Sequence, residues 1–128
     1  MQIDSPDVKP LIPNAKDAGF EALRRSGHYP INHTVVVRND VLEANPDLAS
    51  GLFDAFSEAK ARYVDRLKSG CVESPDPVHV RVMELTGDPL PYGIEPNRRM
   101  LESLVQYAVE QGILTRACAV EELFAIRR

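Results

Sequence analysis

The chain has 128 residues, of which 44% are hydrophobic and 27% charged, and this profile is typical of one globular domain. Its formal charge of -4 comes from scattered charges of both signs without a basic stripe, which argues against a nucleic-acid-binding module. The apolar runs are far shorter than the roughly 20 residues that span a bilayer, and the N-terminus lacks the pattern of a secretory signal. We therefore expect no nucleic-acid partner, no membrane partner and a cytoplasmic location.

The first 30 residues form a proline-rich lead-in with one helical stretch. Asn14 is a candidate N-cap for this helix and Gly27 a candidate stop. Residues 31–38 follow, and they hold the strongest strand signal of the chain, the β-branched run of residues 34–37. Because this run is apolar on successive residues, we predict a strand that is buried on both faces. Almost no other strand is predicted, so we expect either an unusual fold or an incomplete chain.

The remainder of the chain is predicted to be mainly helical. Asn45 and Pro46 indicate a helix start, and apolar residues at helical spacing from Leu48 to Leu67 predict a core-facing stripe on a helix that ends near Lys68.

Four predicted segments follow that long helix. Residues 71–77 are a turn-rich connection, and residues 78–85 fit both a strand and a helix, of which we assign the helix. After a loop at residues 87–93, residues 97–111 form a second clear helix with Gly112 as its cap, and residues 120–126 form a last short helix. The two cysteines, Cys71 and Cys118, are too far apart in sequence for a local metal site, and we interpret both as reduced.

Several segments resemble one enzyme family. Residues 33–42, with NPDLA at 45–49 and FSEAK at 56–60, resemble the strand and helix near the C-terminus of type 2 periplasmic-binding-protein-like chains. The motif YGIEPNRRMLE at residues 92–102, with QGIL at 111–114 and EELF at 121–124, is similar to the C-terminal end of 4,5-dihydroxyphthalate decarboxylases. The resemblance implies an α/β fold: the helix-rich C-terminal portion of a two-lobed fold, with one buried strand and three or four helices. Residues 1–128 would then be a single partial domain.

The same resemblance implies the activity. A family member would be a carboxy-lyase that decarboxylates 4,5-dihydroxyphthalate or a related aromatic acid, with a small aromatic carboxylate as ligand. The ring hydroxyls of such a substrate supply electron density, so we expect no cofactor. Two alternatives remain open: a small-anion solute-binding protein of an ABC-type transporter, and a non-catalytic remnant. The unpaired strand suggests a homodimer or an N-terminal lobe that lies outside this sequence.

Five residues are candidates for the chemistry. His33 is the candidate catalytic proton donor because the pKa of an imidazole, about 6.5, suits proton transfer near neutral pH; the alternative is a structural histidine. Arg98 and Arg99 lie at a helix start, where they are candidates to bind a substrate carboxylate or to pair with Glu95 or Glu102.

The other candidates lie in or near loops. Tyr92 is a candidate for substrate contact or for covering the lobe, and Arg38 is a candidate to face the cleft or to pair with Asp40. His28 and His33 with Asp40 do not have a strong ligand spacing, so we predict no metal site.

Overall fold

A computed structural model describes residues 7–74 and 76–125, and within them all regular secondary structure is helical. The five α-helices are α1 (Ala15–Ser26), α2 (Asn39–Ala44), α3 (Leu48–Lys68), α4 (Pro77–Thr86) and α5 (Arg98–Glu110). Two short 3₁₀ turns, Glu95–Asn97 and Val120–Leu123, flank α5 in sequence. The expected α/β class is therefore wrong, and the predicted helix over residues 78–85 is confirmed.

The predicted buried strand at residues 31–38 does not form. Val35 is 64% exposed and Val36 85% exposed, so the run that was expected to be covered on both faces lies on the surface. A strand needs a second strand to bond its amides and carbonyls, and no described segment provides one. Arg38 instead precedes α2, where its carbonyl accepts the amide of Leu42 at 3.2 Å. High β-propensity without a partner strand was not enough to produce a sheet.

The helix ends follow local sequence signals. Gly27 ends α1 in the left-handed conformation at φ 69°, and its amide donates to the carbonyl of Leu23 at 2.8 Å. Asp76 caps α4 by accepting the amide of Val78 at 2.7 Å, with Pro77 in the first helical position. Asn14 precedes α1 as predicted, but its side chain makes no capping bond.

The helix α3 begins later than predicted and buries less of its apolar stripe. It begins at Leu48 because residues 46 and 47 form a turn, in which the amide of Leu48 donates to the carbonyl of Asn45 at 3.0 Å. Only Leu67 of the predicted stripe is buried, while Phe56 remains 46% exposed. The expectation that the stripe from Leu48 to Leu67 packs entirely in a core is therefore wrong for its N-terminal part.

Two groups of contacts hold the helices together. At the C-terminal end Ile94, Leu101 and Val120 form a buried cluster, and Phe124 packs against it. On the other side α1 packs against α4, and the Tyr63 hydroxyl and the His79 ring of α4 form a hydrogen bond at 3.0 Å that joins α3 to α4. The remaining buried apolar side chains of the described residues are Leu23, Leu67, Val82, Pro89 and Val105.

The predicted last helix at residues 120–126 is a single 3₁₀ turn over Val120–Leu123, and residue 126 lies outside the described residues. Both cysteines are free thiols, and Cys71 is exposed. Among the described residues no helix combines the length and the apolar character that a membrane span requires.

Candidate functional site

A pocket of about 190 Å³ lies where the C-terminal ends of α1 and α4 meet the start of α5. We call it the α1–α5 pocket. The residues that line it come from the end of α1, the end of α4 and the loop that leads into α5: Gly27, Tyr29, Thr86, Asp88, Pro91, Pro96, Asn97, Arg99 and Met100. Since an apolar cavity of about 150 Å³ accepts a benzene ring, this volume suits a ligand of one substituted ring.

Arg99 provides the positive charge in the wall of the pocket. Its Nη1 donates to the carbonyl oxygen of Ser26 at 2.9 Å, which ties the first turn of α5 to the last residue of α1. A guanidinium group carries five N–H donors in a planar fork, and this bond uses one of them. A planar fork of donors matches the two oxygens of a carboxylate.

Asn97 shapes the loop that forms one wall. Its Nδ2 donates to the carbonyl oxygens of Pro91 and Gly93, each at 2.9 Å, and thereby folds the loop back against the start of α5. Gly93 adopts φ 91°, a left-handed conformation that favours glycine at this turn. The amide of Asn97 is thus a structural clamp, which brings the rings of Pro91 and Pro96 into the pocket wall.

Asp88 places a carboxylate in the pocket wall, and Lys60 of α3 compensates its charge. Lys60 Nζ lies 2.6 Å from Asp88 Oδ2, and the Lys60 side chain is largely buried. The same ammonium group lies 5.2 Å from the ring centre of Tyr92, within the range of a cation–π contact. Tyr92, a predicted substrate-binding residue, therefore contacts Lys60, which connects it to the pocket wall.

Tyr29 contributes a phenol whose pKa is raised, first by its partial burial and second by the negative charge of Asp76. A phenol with a raised pKa stays protonated throughout the physiological pH range, so Tyr29 lines the pocket as a neutral hydroxyl that can donate a hydrogen bond. Tyr29 was not among the site residues predicted from the sequence.

Arg98, in contrast to Arg99, is occupied by ion pairs. Its guanidinium bonds to Glu95 and, at 2.6 Å, to Glu121, and it lies 4.0 Å from Glu102. The carboxylates of Glu95 and Glu121 raise the pKa of Arg98, and the Arg98 guanidinium in turn lowers the pKa of Glu95. The pair with Glu95 is the salt-bridge alternative predicted from the sequence, whereas the pair with Glu121, which was not predicted, joins α5 to the turn Val120–Leu123.

The other two candidates lie on the surface. Arg38 is exposed and pairs with Asp40, whose pKa this bond lowers. His33 is exposed within the irregular segment 31–37, and the residues that line the α1–α5 pocket do not include it. Of the five candidates the structure therefore brings Arg99 into the pocket wall and Tyr92 next to it.

Four polar residues that line the pocket were not predicted from the sequence: Tyr29, Thr86, Asp88 and Asn97. Only Asp88 carried a usable signal, since it is an acidic residue in a loop rich in proline and glycine. Among residues 7–74 and 76–125 no three histidine, cysteine or acidic side chains cluster as a metal site would require.

The comparisons with known proteins identify no relative. No family model matches the chain, and neither a curated protein nor a solved structure matches it.

Proposed function

We propose that the chain binds a small aromatic carboxylate in the α1–α5 pocket, as part of a decarboxylase-like protein that acts on 4,5-dihydroxyphthalate or a related aromatic acid. The observation that carries this proposal is the position of Arg99, an arginine in the wall of a pocket with room for one ring. The carboxylate of the ligand would pair with the Arg99 guanidinium. The Tyr29 hydroxyl would donate a hydrogen bond, and Pro91, Pro96 and Met100 would contact the ring.

The proposed reaction breaks the bond between the ring carbon and a carboxylate. Carbon dioxide leaves, the electron pair stays on the ring carbon, and a proton then replaces the carboxylate. His33 remains the predicted donor of that proton. Because His33 is exposed and is not one of the residues that line the pocket, the reaction would need a second copy or a separate N-terminal lobe to bring the donor and the ligand together.

The position of His33 also favours a second candidate function. A pocket that holds a carboxylate without the His33 imidazole beside it would bind small anions and leave them unchanged, as a solute-binding protein does. The two functions differ in turnover, since both predict binding and only the decarboxylase predicts release of carbon dioxide.

The binding step is tested by isothermal titration calorimetry with 4,5-dihydroxyphthalate. We expect Arg99→Gln to weaken binding about 10- to 100-fold, because a hydrogen-bonded charge pair contributes about 1.5–3 kcal/mol. The matched control is Arg24→Gln, which removes the same charge from an exposed arginine of α1 that pairs with Glu21. Equal affinity of the wild-type chain and the Arg99→Gln variant would refute the role of the pocket.

The chemical step is tested by release of carbon dioxide from the same diacid. Loss of turnover in His33→Asn, with binding retained, would support the donor role. Turnover that survives this substitution within a few fold would refute it. Binding without turnover by the wild-type chain would favour the solute-binding function.

A further inference from the structure

The wall of the α1–α5 pocket holds one charged residue that the proposed function does not use. The residues that line the pocket include two charged ones, Arg99 and Asp88. Arg99 is assigned to the carboxylate of the ligand, whereas the carboxylate of Asp88 would repel that group because the two carry the same charge. A ligand that fits the whole pocket must therefore present its carboxylate to Arg99 and a different kind of group to Asp88.

Arg99 and Asp88 are held by different helices. The Arg99 guanidinium bonds to the carbonyl oxygen of Ser26, the last residue of α1. The Asp88 carboxylate bonds to Lys60 of α3, with Oδ2 2.6 Å from Nζ. Each charged group thus has a partner of its own, and a single ring can meet Arg99 with one substituent and Asp88 with another.

The carboxylate of Asp88 can accept a further hydrogen bond. Its Oδ1 accepts the amide of Leu90 at 3.0 Å, and its Oδ2 accepts from Lys60. An ionised carboxylate offers about four lone-pair sites, so these two bonds use about half of them. The Asp88 side chain is 42% exposed, which leaves the other sites within reach of a ligand.

The group that fits Asp88 is a neutral hydrogen-bond donor. An ionised carboxylate only accepts hydrogen bonds, so the ligand must donate to it. A second carboxylate on the ligand has no hydrogen to donate and is repelled by Asp88. An ammonium group on the ligand would lie close to the ammonium group of Lys60, which already pairs with Asp88. A hydroxyl on the ring has neither disadvantage.

We propose that Asp88 determines the specificity of the α1–α5 pocket by accepting a hydrogen bond from a ring hydroxyl of a ligand whose carboxylate pairs with Arg99. This inference rests on the proposed function, because it requires the carboxylate of the ligand to bind at Arg99. It narrows the ligands to aromatic acids whose ring hydroxyls lie away from the carboxylate. Lys60 is a positioning residue in this arrangement, since it holds Asp88 in place.

Isothermal titration calorimetry tests the proposal with two probes that differ only in their hydroxyls, benzoate and 3,4-dihydroxybenzoate. We expect the wild-type chain to bind the dihydroxy acid about tenfold more tightly, which is the contribution of one hydrogen bond to a charged acceptor. In Asp88→Asn, which keeps an oxygen for the amide of Leu90, this preference should fall to about twofold because the acceptor is neutral. The matched control Asp40→Asn removes the same charge from an aspartate that pairs with Arg38 outside the pocket, and it should keep the wild-type preference.

A third probe tests the hydroxyl hydrogens without a substitution in the protein. The probe 3,4-dimethoxybenzoate keeps both ring oxygens but has no hydroxyl hydrogen to donate, so we expect the wild-type chain to bind it no more tightly than benzoate. Binding as tight as that of the dihydroxy acid would overturn the proposal. This comparison is independent of any effect that Asp88→Asn has on folding.

The ratio of the affinities for the two acids separates this inference from the proposed function. Equal affinities in the wild-type chain, or a preference that Asp88→Asn leaves unchanged, would overturn the role of Asp88. The proposed function would still stand in that case if Arg99→Gln weakens the binding of benzoate. A loss of affinity in Asp88→Asn that is equal for both acids would indicate a structural role and would also overturn the inference. Absence of binding of either acid up to about 10 mM would overturn both.

Discussion

The buried cluster at the C-terminal end predicts a large difference between two leucines one turn apart on α5. Leu101 is 4% exposed and packs with Ile94 and Val120, whereas Leu104 is 56% exposed. The same substitution, leucine to alanine, therefore removes a buried side chain in one case and an exposed one in the other. Both substitutions change the intrinsic helix propensity by the same amount, so the difference between their losses of unfolding free energy reports packing alone.

The magnitude follows from burial. Leucine has three more carbon atoms than alanine, and at about 0.8 kcal/mol for each buried group the transfer contribution is about 2.4 kcal/mol. The cavity that remains adds to this, which brings Leu101→Ala to about 3–4 kcal/mol of lost unfolding free energy. For Leu104→Ala we expect less than about 1 kcal/mol, because more than half of the residue is already in contact with water.

Urea unfolding followed by circular dichroism measures both values. Folded domains have unfolding free energies of about 5–15 kcal/mol, so a loss of 3–4 kcal/mol moves the midpoint well beyond experimental error. Losses that are equal for the two variants, or a loss below about 1 kcal/mol for Leu101→Ala, would show that Ile94, Leu101 and Val120 do not form the core of the native protein.

Four further substitutions, the first of them measured by an NMR titration, test other parts of the structure. Arg98 lowers the pKa of Glu95, so this pair stabilises the fold at pH values above the ordinary carboxyl pKa, and that stabilisation is lost as the pH falls through the lowered pKa. In Arg98→Gln, NMR titration should show that the pKa of Glu95 returns to its usual range. An unchanged pKa in this variant would contradict the pairing. Gly51 lies inside α3 with open space around it, so Gly51→Ala should raise the unfolding free energy by about 0.5–1 kcal/mol; a decrease would mean that Gly51 is in close contact. Gly87 caps α4 at φ 81°, so Gly87→Ala should lower the unfolding free energy by about 1 kcal/mol, and a neutral result would argue against this cap. Val36→Ser should change the unfolding free energy by less than about 0.5 kcal/mol because Val36 is exposed, while a loss of 2 kcal/mol would restore the buried-strand hypothesis.

The helices were the most predictable part of the fold because their signals are local. Glycine stops at Gly27 and Gly112 fixed the ends of α1 and α5, since only a residue that adopts a positive φ ends a helix in this way. The start of α4 also carried a local signal, an N-cap aspartate, Asp76, followed by Pro77 in the first helical position. These two residues were predicted to belong to a turn-rich connection.

The strand was not predictable in the same way because it depends on a partner. Residues 34–37 have the composition of a buried strand, but a β-branched run becomes a strand only where another strand accepts its hydrogen bonds. No partner strand was visible in the sequence, and the expected partner was a second copy or an N-terminal lobe outside this sequence. In the described residues the absence of a second strand leaves Val35 and Val36 exposed.

The pocket could be predicted only in part because its walls come from distant parts of the sequence. The pattern at residues 92–102 singled out Arg98 and Arg99 together, and nothing in it distinguishes them. The difference arises in three dimensions, where Glu121 lies close enough to pair with Arg98, while Arg99 reaches the carbonyl of Ser26. Tyr29 reaches the pocket because Gly27 turns the chain at the end of α1.

The most direct test of the proposed function is an NMR titration of the ¹⁵N-labelled chain with 4,5-dihydroxyphthalate. The account predicts saturable shifts of the amide signals of Gly27, Tyr29, Asn97 and Arg99, which surround the α1–α5 pocket. Amides of residues 48–56 in α3, none of which lines the pocket, should not move. The absence of shifts up to about 10 mM ligand, well above the dissociation constant of even a weak complex, would contradict the account. Shifts that are confined to the segment around His33 would contradict it as well.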